Sequence, residues 1–274
     1  MLKLRIITAS ILAPLVIAGI LLLPASLFAE AVMLLLVIGL FEWDGLTTRS
    51  NGFFVGGALA VLLAAFLSYL LATGVISAPI SLLLPVIALI GTLFWIAQYF
   101  VLAKGIDYQR SKPVEMLLGM LAVLCAWAGM VWLRLHHEQG TTMVLIAIMV
   151  VWAADTFAYF AGVNFGKRKL APSISPGKTV EGVIGGMLGA IGFSGVAAHF
   201  LLDLDTGSLV RWLIATAAAA AISVVGDLYI SRLKRQVGAK DSGKLLPGHG
   251  GILDRIDGLI AAMPVFAAVW WLLW

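Results

Sequence analysis

Long apolar runs alternate with short polar breaks along the whole chain. The runs cover 4–23, 27–43, 53–73, 79–102, 114–134, 142–164, 180–202, 209–231 and 252–274. Each comes near the ~20 residues that a helix needs to cross the hydrocarbon core of a bilayer. A helix also satisfies its own backbone there, where no water can. The pattern therefore predicts an all-α, polytopic membrane bundle of about nine transmembrane helices. Only Leu23 to Ser26 separate the first two runs, and Pro24 suits a turn. A tight hairpin and a re-entrant pair fit that spacing equally.

Composition strengthens this reading. Hydrophobic residues make up 62% and charged residues 12% of the chain, which sets it apart from an ordinary soluble domain. The lone cysteine, Cys125, excludes an intramolecular disulfide and a cysteine-based zinc cluster. Lys3 and Arg5 precede the first run, but that run exceeds a usual signal-peptide core and no A-x-A-like site follows. It reads as an uncleaved span. With the N-terminus in the cytoplasm and nine crossings, all Lys and Arg except Arg134 and Arg211 fall on the inner side. This follows the positive-inside rule. It turns the most charged loops toward the cytoplasm, and the expected setting is a bacterial-type cytoplasmic (inner) membrane.

The chain reads as one membrane domain, 1–274. Residues 1–140 supply mainly scaffold spans, and 141–274 carry catalytic spans and cytoplasmic loops. Gly182, Gly185, Gly186, Gly189, Gly192 and Gly195, with the Ala217 to Ala221 run, predict close helix packing in the second part.

Ionisable groups near lipid are functional candidates by default, and here they cluster. Asp227, Arg232, Lys234, Arg235, Lys240, Asp241, Lys244, Asp254, Arg255 and Asp257 share one short stretch. Asp254 and Asp257 fall on one helix face at the start of the last span. Asp227, inside the previous span, sits roughly 7 Å deeper than Arg232 at the helical rise. Two antiparallel neighbours could thus bring three carboxylates to one level, a donor set suited to a hard divalent cation. The helix dipole alone would also favour Asp254 and Asp257 at that end.

Between the acids runs the loop Ser242 to Gly251, with Gly243, Gly248, Gly250 and Gly251 able to shape an anion-binding nest. Its lysines alone would satisfy topology, and His249 suits a turn as readily as a titrating role. A second polar region holds Asp155 within a span, then Lys167, Ser175, Lys178 and Thr179 in the following loop. It resembles a phosphate-facing surface without Walker spacing. No serine–histidine–acid order or zincin motif is readable, so covalent hydrolysis has no support.

These residues carry a resemblance. Ser231, Lys234, Arg235, Lys240, Asp241, Pro247, His249, Gly250, Gly251, Asp254, Arg255 and Asp257 match the signature of the phosphatidate cytidylyltransferases, or CDP-diacylglycerol synthases. Trp152, Asp155, Thr156, Tyr159 and the run Ser175 to Gly182 are similar to the same family's upstream elements. The resemblance implies Mg2+-dependent transfer of a cytidylyl group from CTP to phosphatidic acid, giving CDP-diacylglycerol and pyrophosphate. It implies Asp227, Asp254 and Asp257 as metal ligands, with Lys234 and Arg235 catalytic. Two-metal logic leaves room for a second cation. Lys167, Ser175, Lys178, Thr179, Lys240, Asp241, Lys244, His249, Gly250, Gly251, Arg255 and Asp155 would bind substrate. Membrane lipid is the other partner, a homodimer is compatible with this reading, and no nucleic acid is called for.

Two alternatives are weaker. Asp257 to Ala261 resembles the opening of the CDP-alcohol phosphatidyltransferase motif, but Ala262 follows and no further aspartates come before Trp274. An ion-coupled transporter would be expected to show internal repeats and a polar midplane, and neither is visible.

The topology is testable. In a Cys125→Ala background, single cysteines replacing Ser242 and Ser208 should react with impermeant maleimide from opposite sides. Labelling of both from the cytoplasm would contradict the nine-span arrangement.

Overall fold

The apolar runs fold as helices. The structure is a computed structural model and describes residues 2–47, 79–105 and 108–274. In chain order the helices are α1 (Leu2–Leu22), α2 (Ala25–Thr47), α3 (Pro79–Leu102), α4 (Lys112–His136), α5 (Gly140–Phe165), α6 (Val180–Leu201), α7 (Thr206–Gln236) and α8 (Leu253–Leu273). From α2 onward, seven of the described helices are long and apolar enough to cross a membrane, while α1 offers a shorter apolar segment, Ser10–Leu22. The protein is therefore polytopic. The expected span over 53–73 lies outside the described residues.

Two elements differ from the sequence expectation. The segment read as an open loop after the fifth helix is a β-hairpin, β1 (Lys169–Ala171) against β2 (Ser175–Thr179). The strands are antiparallel, with Lys169 opposite Thr179 and Ala171 opposite Ser175. Ile174, buried at the turn, anchors the hairpin, and its ladder satisfies backbone groups that a loose loop would leave to solvent. Helix α7 also runs past the end of its apolar stretch to Gln236. Its extension is held by buried Leu233 and by side-chain pairs described below.

Helix α8 lies at the centre of the bundle, against α2, α3, α4 and α7. Trp43, Trp95, Trp127, Trp212 and Trp270 are among the largest fully buried side chains. An indole N–H in an apolar interior needs an acceptor, and several find one on a neighbouring helix. Trp95 Nε1 donates to the Ile260 carbonyl at 3.0 Å, Trp127 Nε1 to that of Ala29 at 2.9 Å, and Trp212 Nε1 to Ser194 Oγ at 2.8 Å. At the opposite end from the charged loops, His137 Nε2 accepts from Trp270 Nε1 at 3.0 Å. Burial and the neighbouring His136 lower the His137 pKa.

Glycines set the closest helix approaches, as their spacing predicts. In α6, a Cβ at Gly182 would lie 2.9 Å from the Ala158 carbonyl oxygen, and one at Gly186 would lie 2.7 Å from that of Ala154. Gly189 makes room for the Phe157 ring. Gly192, by contrast, has open space and serves no such contact. The same device joins α7 to α8: a Cβ at Gly226 would strike the Asp257 carbonyl and lie 2.8 Å from Ala261 Cβ.

Gly226→Ala should therefore force the two helices apart. The expected cost is about 1–3 kcal/mol, as for overpacking a tight interior. Thermal unfolding in detergent measures it.

Candidate active site at the charged end of the bundle

Because Gly226 brings α7 against α8, the next residue, Asp227, stands beside Asp257. The Asp227 carboxylate has two neighbours. Ser231 Oγ, one turn along α7, donates to Oδ1 at 3.1 Å. Lys178 Nζ, from β2, lies 2.5 Å from Oδ2. The hairpin is thus clasped to α7 by an ion pair whose two side chains are only about a quarter exposed (27% and 28%). Asp155 on α5 and Asp257 on α8 lie within electrostatic reach of Asp227 and of each other, with Lys178, Lys234 and Arg255 the cations around them. Asp257 Oδ1 accepts from the adjacent Gly258 N–H at 2.8 Å.

Asp254 is engaged differently. Its Oδ1 meets Lys234 Nζ at 2.7 Å, and its Oδ2 accepts from the backbone N–H groups of Ser242 and Gly251 at 2.8 and 3.0 Å. Both oxygens are committed to closing the loop between α7 and α8. In this geometry Asp254 is engaged by Lys234 and the loop amides, while Asp227 and Asp257 stand together. Among the described residues, no three His, Cys, Asp or Glu side chains form a ready metal cluster. Asp155, rather than Asp254, is the acid that keeps company with Asp227 and Asp257.

Several other expected site residues have structural duties. Thr179 caps α6, accepting from the Gly182 N–H at 3.1 Å. Glu181, not itself an expected site residue, accepts from the N–H groups of Lys167 and Arg168 at 3.0 and 3.1 Å and from Arg168 Nε at 3.1 Å, fixing the approach to the hairpin. Arg235 donates to the carbonyls of Ile174 and Ala239. Lys167, Lys240, Asp241, Lys244 and Arg255 are exposed around the rim, and Ser175 is half-buried at the start of β2. His249 lies in a turn, its N–H donating to the Leu246 carbonyl at 2.9 Å. Gly248 and Gly250 take positive φ of 79° and 81°, but Gly243 and Gly251 do not.

Sequence reasoning missed two features. Glu42, near the end of α2, accepts from Ser242 Oγ at 2.8 Å and from the Ile252 and Leu253 N–H groups at 3.1 and 2.8 Å. Its partners are mostly backbone, so no residue pattern could have revealed them. The second is a buried network behind the site. Arg232, fully buried, donates to the Tyr108 carbonyl, and Glu115 accepts from Tyr229 OH at 2.7 Å. Arg110 donates to Tyr229 OH at 2.9 Å and to Gln98 Oε1 at 3.0 Å. The one signal available in the sequence was Glu115 inside the apolar run 114–134, because a charge there requires a partner.

The fold and the site define a polytopic membrane protein with acids, cations and a glycine-bearing loop assembled at one end of its bundle. Residues 3–273 match the cytidylyltransferase family, to which this chain belongs. It is 37% identical to the phosphatidate cytidylyltransferase of Pseudomonas aeruginosa over 277 residues, 99% of this chain and 97% of that protein. It is also 37% identical to that of Haemophilus influenzae over 286 residues, 97% and 98% of the two chains. The Thermotoga maritima enzyme of the same name is 42% identical over 136 residues, about half of each chain (48% and 50%).

If Thr179 serves as a cap, Thr179→Ala should lower stability by about 1 kcal/mol, the usual cost of a lost N-cap. Thr179→Ser should restore it. Thermal unfolding of the two variants in detergent makes the comparison.

Proposed function

We propose that this chain is a phosphatidate cytidylyltransferase whose reaction takes place at the Asp227–Asp257 junction, facing the cytoplasm. A phosphate oxygen of phosphatidic acid attacks the α-phosphorus of CTP. A new P–O bond forms, the bond to the β-phosphate oxygen breaks, and pyrophosphate leaves with that electron pair. The attacking group belongs to the lipid, so the protein needs no nucleophile of its own. Its tasks are positioning and neutralisation of charge.

The observation that carries this reading is the meeting of Asp227 and Asp257 through Gly226, in a chain that matches its cytidylyltransferase relatives over nearly full length. Carboxylate oxygens on two helices, with Asp155 facing them, suit a hard cation such as Mg2+. Asp227 already pairs with one cation, the Lys178 ammonium. Bound magnesium would offset the negative charge of the triphosphate. Asp227 and Asp257 would hold it, with Asp155 adding to the negative field. Lys178 and Arg255 border these acids and supply positive charge for phosphate oxygens. Lys234 holds Asp254, which keeps the loop closed beside them. The acyl chains remain in lipid against the apolar outer faces of the helices, where no protein pocket is required.

Charge-removing substitutions test the site. Asp227→Asn and Asp257→Asn should each insert normally yet lose nearly all incorporation of radiolabelled CTP into lipid. The double variant should be little worse than the poorer single, since residues acting as a unit are strongly non-additive. Asp241→Asn, on the exposed rim, should be milder. Near-normal magnesium-dependent turnover in a folded Asp227→Asn or Asp257→Asn variant would overturn the proposed metal site.

A further inference from the structure

Four glycines lie between Ser242 and Ile252, in the loop between α7 and α8, and they are glycines for two different reasons. Gly248 and Gly250 adopt positive φ, which L side chains rarely tolerate. Gly243 and Gly251 have no such need. What they lack is room. A Cβ on Gly243 would collide with the Glu42 carboxylate, and its three nearest neighbours are all atoms of that side chain. A Cβ on Gly251 would meet the other Glu42 oxygen and Ser242 Oγ. The loop is built to wrap one carboxylate that comes from a helix some two hundred residues away.

Glu42 uses that close approach fully. Oε1 accepts from the Ile252 N–H, while Oε2 accepts from the Leu253 N–H and from Ser242 Oγ. Ile252 and Leu253 open α8, where N–H groups have no partner within the helix. A carboxylate there is favoured by the helix dipole and by charge-assisted hydrogen bonds. Ser242 is also the residue whose N–H holds Asp254 Oδ2, as does that of Gly251. Glu42 and Asp254 thus grip the two ends of one loop from opposite sides. Asp257, in the first turns of the helix that Glu42 caps, takes its position from the same grip.

We infer that Glu42 is a positioning residue for cytidylyl transfer: it fixes the loop 242–253 and the start of α8, and so sets where Asp254 and Asp257 stand. The inference rests on the proposed placement of the reaction at Asp227 and Asp257. Glu42 touches no substrate in this role. It acts through backbone, and Gln cannot replace it, because one carboxamide group would present N–H to N–H.

Hydrogen–deuterium exchange and activity on the full-length protein test it together. Glu42→Gln should lower the thermal midpoint only modestly, speed amide exchange across 242–253, and leave exchange in α3 and α6 unchanged. Turnover should fall by about ten- to a hundredfold, the scale of losses caused by small misplacements away from the chemistry. The loss should appear in kcat rather than in KM for CTP. A double-mutant cycle sharpens the test. Gly243→Ala alone should loosen the loop, but in a Glu42→Ala background it should add nothing, since its obstacle is gone. Parental loop exchange in Glu42→Gln, or additive effects of the Gly243 and Glu42 substitutions, would overturn the inference. Should Glu42→Gln fail to fold, Gly243→Ala carries the test alone, and unchanged loop exchange would count against it. Loop exchange does not depend on the metal, so this result stands apart from the Asp227 and Asp257 variants.

Discussion

Gly226 lies against the Asp257 carbonyl, and the charged end of the bundle depends on that contact. In lipid, apolar burial gives no drive for one helix to join another, so close packing must come from shape and from polar contacts. A glycine at this level lets α7 and α8 touch backbone to backbone. One residue later on α7 stands Asp227, and the residue touched on α8 is Asp257. The acids are therefore neighbours because of a missing side chain, at a depth where neither would be tolerated alone.

Bringing like charges together in a poorly solvated region is costly unless cations answer them. The structure answers locally, with separate ion pairs for Asp227 and for Asp254. Lys178 arrives on the hairpin to meet Asp227, and Lys234, on α7 itself, meets Asp254. Behind them Glu115 faces Arg110 and the wholly buried Arg232 at 3.5 and 3.9 Å. Such buried pairs contribute little net stability, because desolvation offsets most of the attraction. Their value is geometric. Each ties a different element to α7 or to the start of α8: the hairpin through Lys178, the loop through Asp254, α4 through Glu115.

Much of the architecture could be read from the chain because its information is local. The bounds of α3 match the apolar run at 79–102, since Pro79 suits the first turn of a helix and Lys104 and Gly105 follow its end. The glycines of α6 announced its tight packing on α5. The hairpin was hidden because Ser175 to Thr179 contains proline and glycine and has no alternating pattern. Its stability comes instead from buried Ile174 and from the clasp of Lys178 on Asp227. The end of α7 was underestimated because Arg232 and Lys234 look like loop residues until their acidic partners are placed in space. Spacing alone could not show how differently Asp254 and Asp257 are engaged. They share a helix face, and only the Lys234 and loop amide contacts tell them apart.

Glu42 shows where pattern reading stops. A carboxylate that binds side chains has partners whose types can be sought in the sequence. One that binds amide N–H groups has partners at every residue, and so at none in particular. The trace it leaves is negative: glycines at 243 and 251 that no positive φ explains. Gly251 belongs to the signature that first suggested the family, where it invites reading as a phosphate-binding element. The geometry gives it a different reason, clearance for a side chain of the same protein. A glycine in a site motif is thus ambiguous between making room for a ligand and making room for the residue that holds the motif in place. For Gly251 the nearest atoms of Glu42 decide between them.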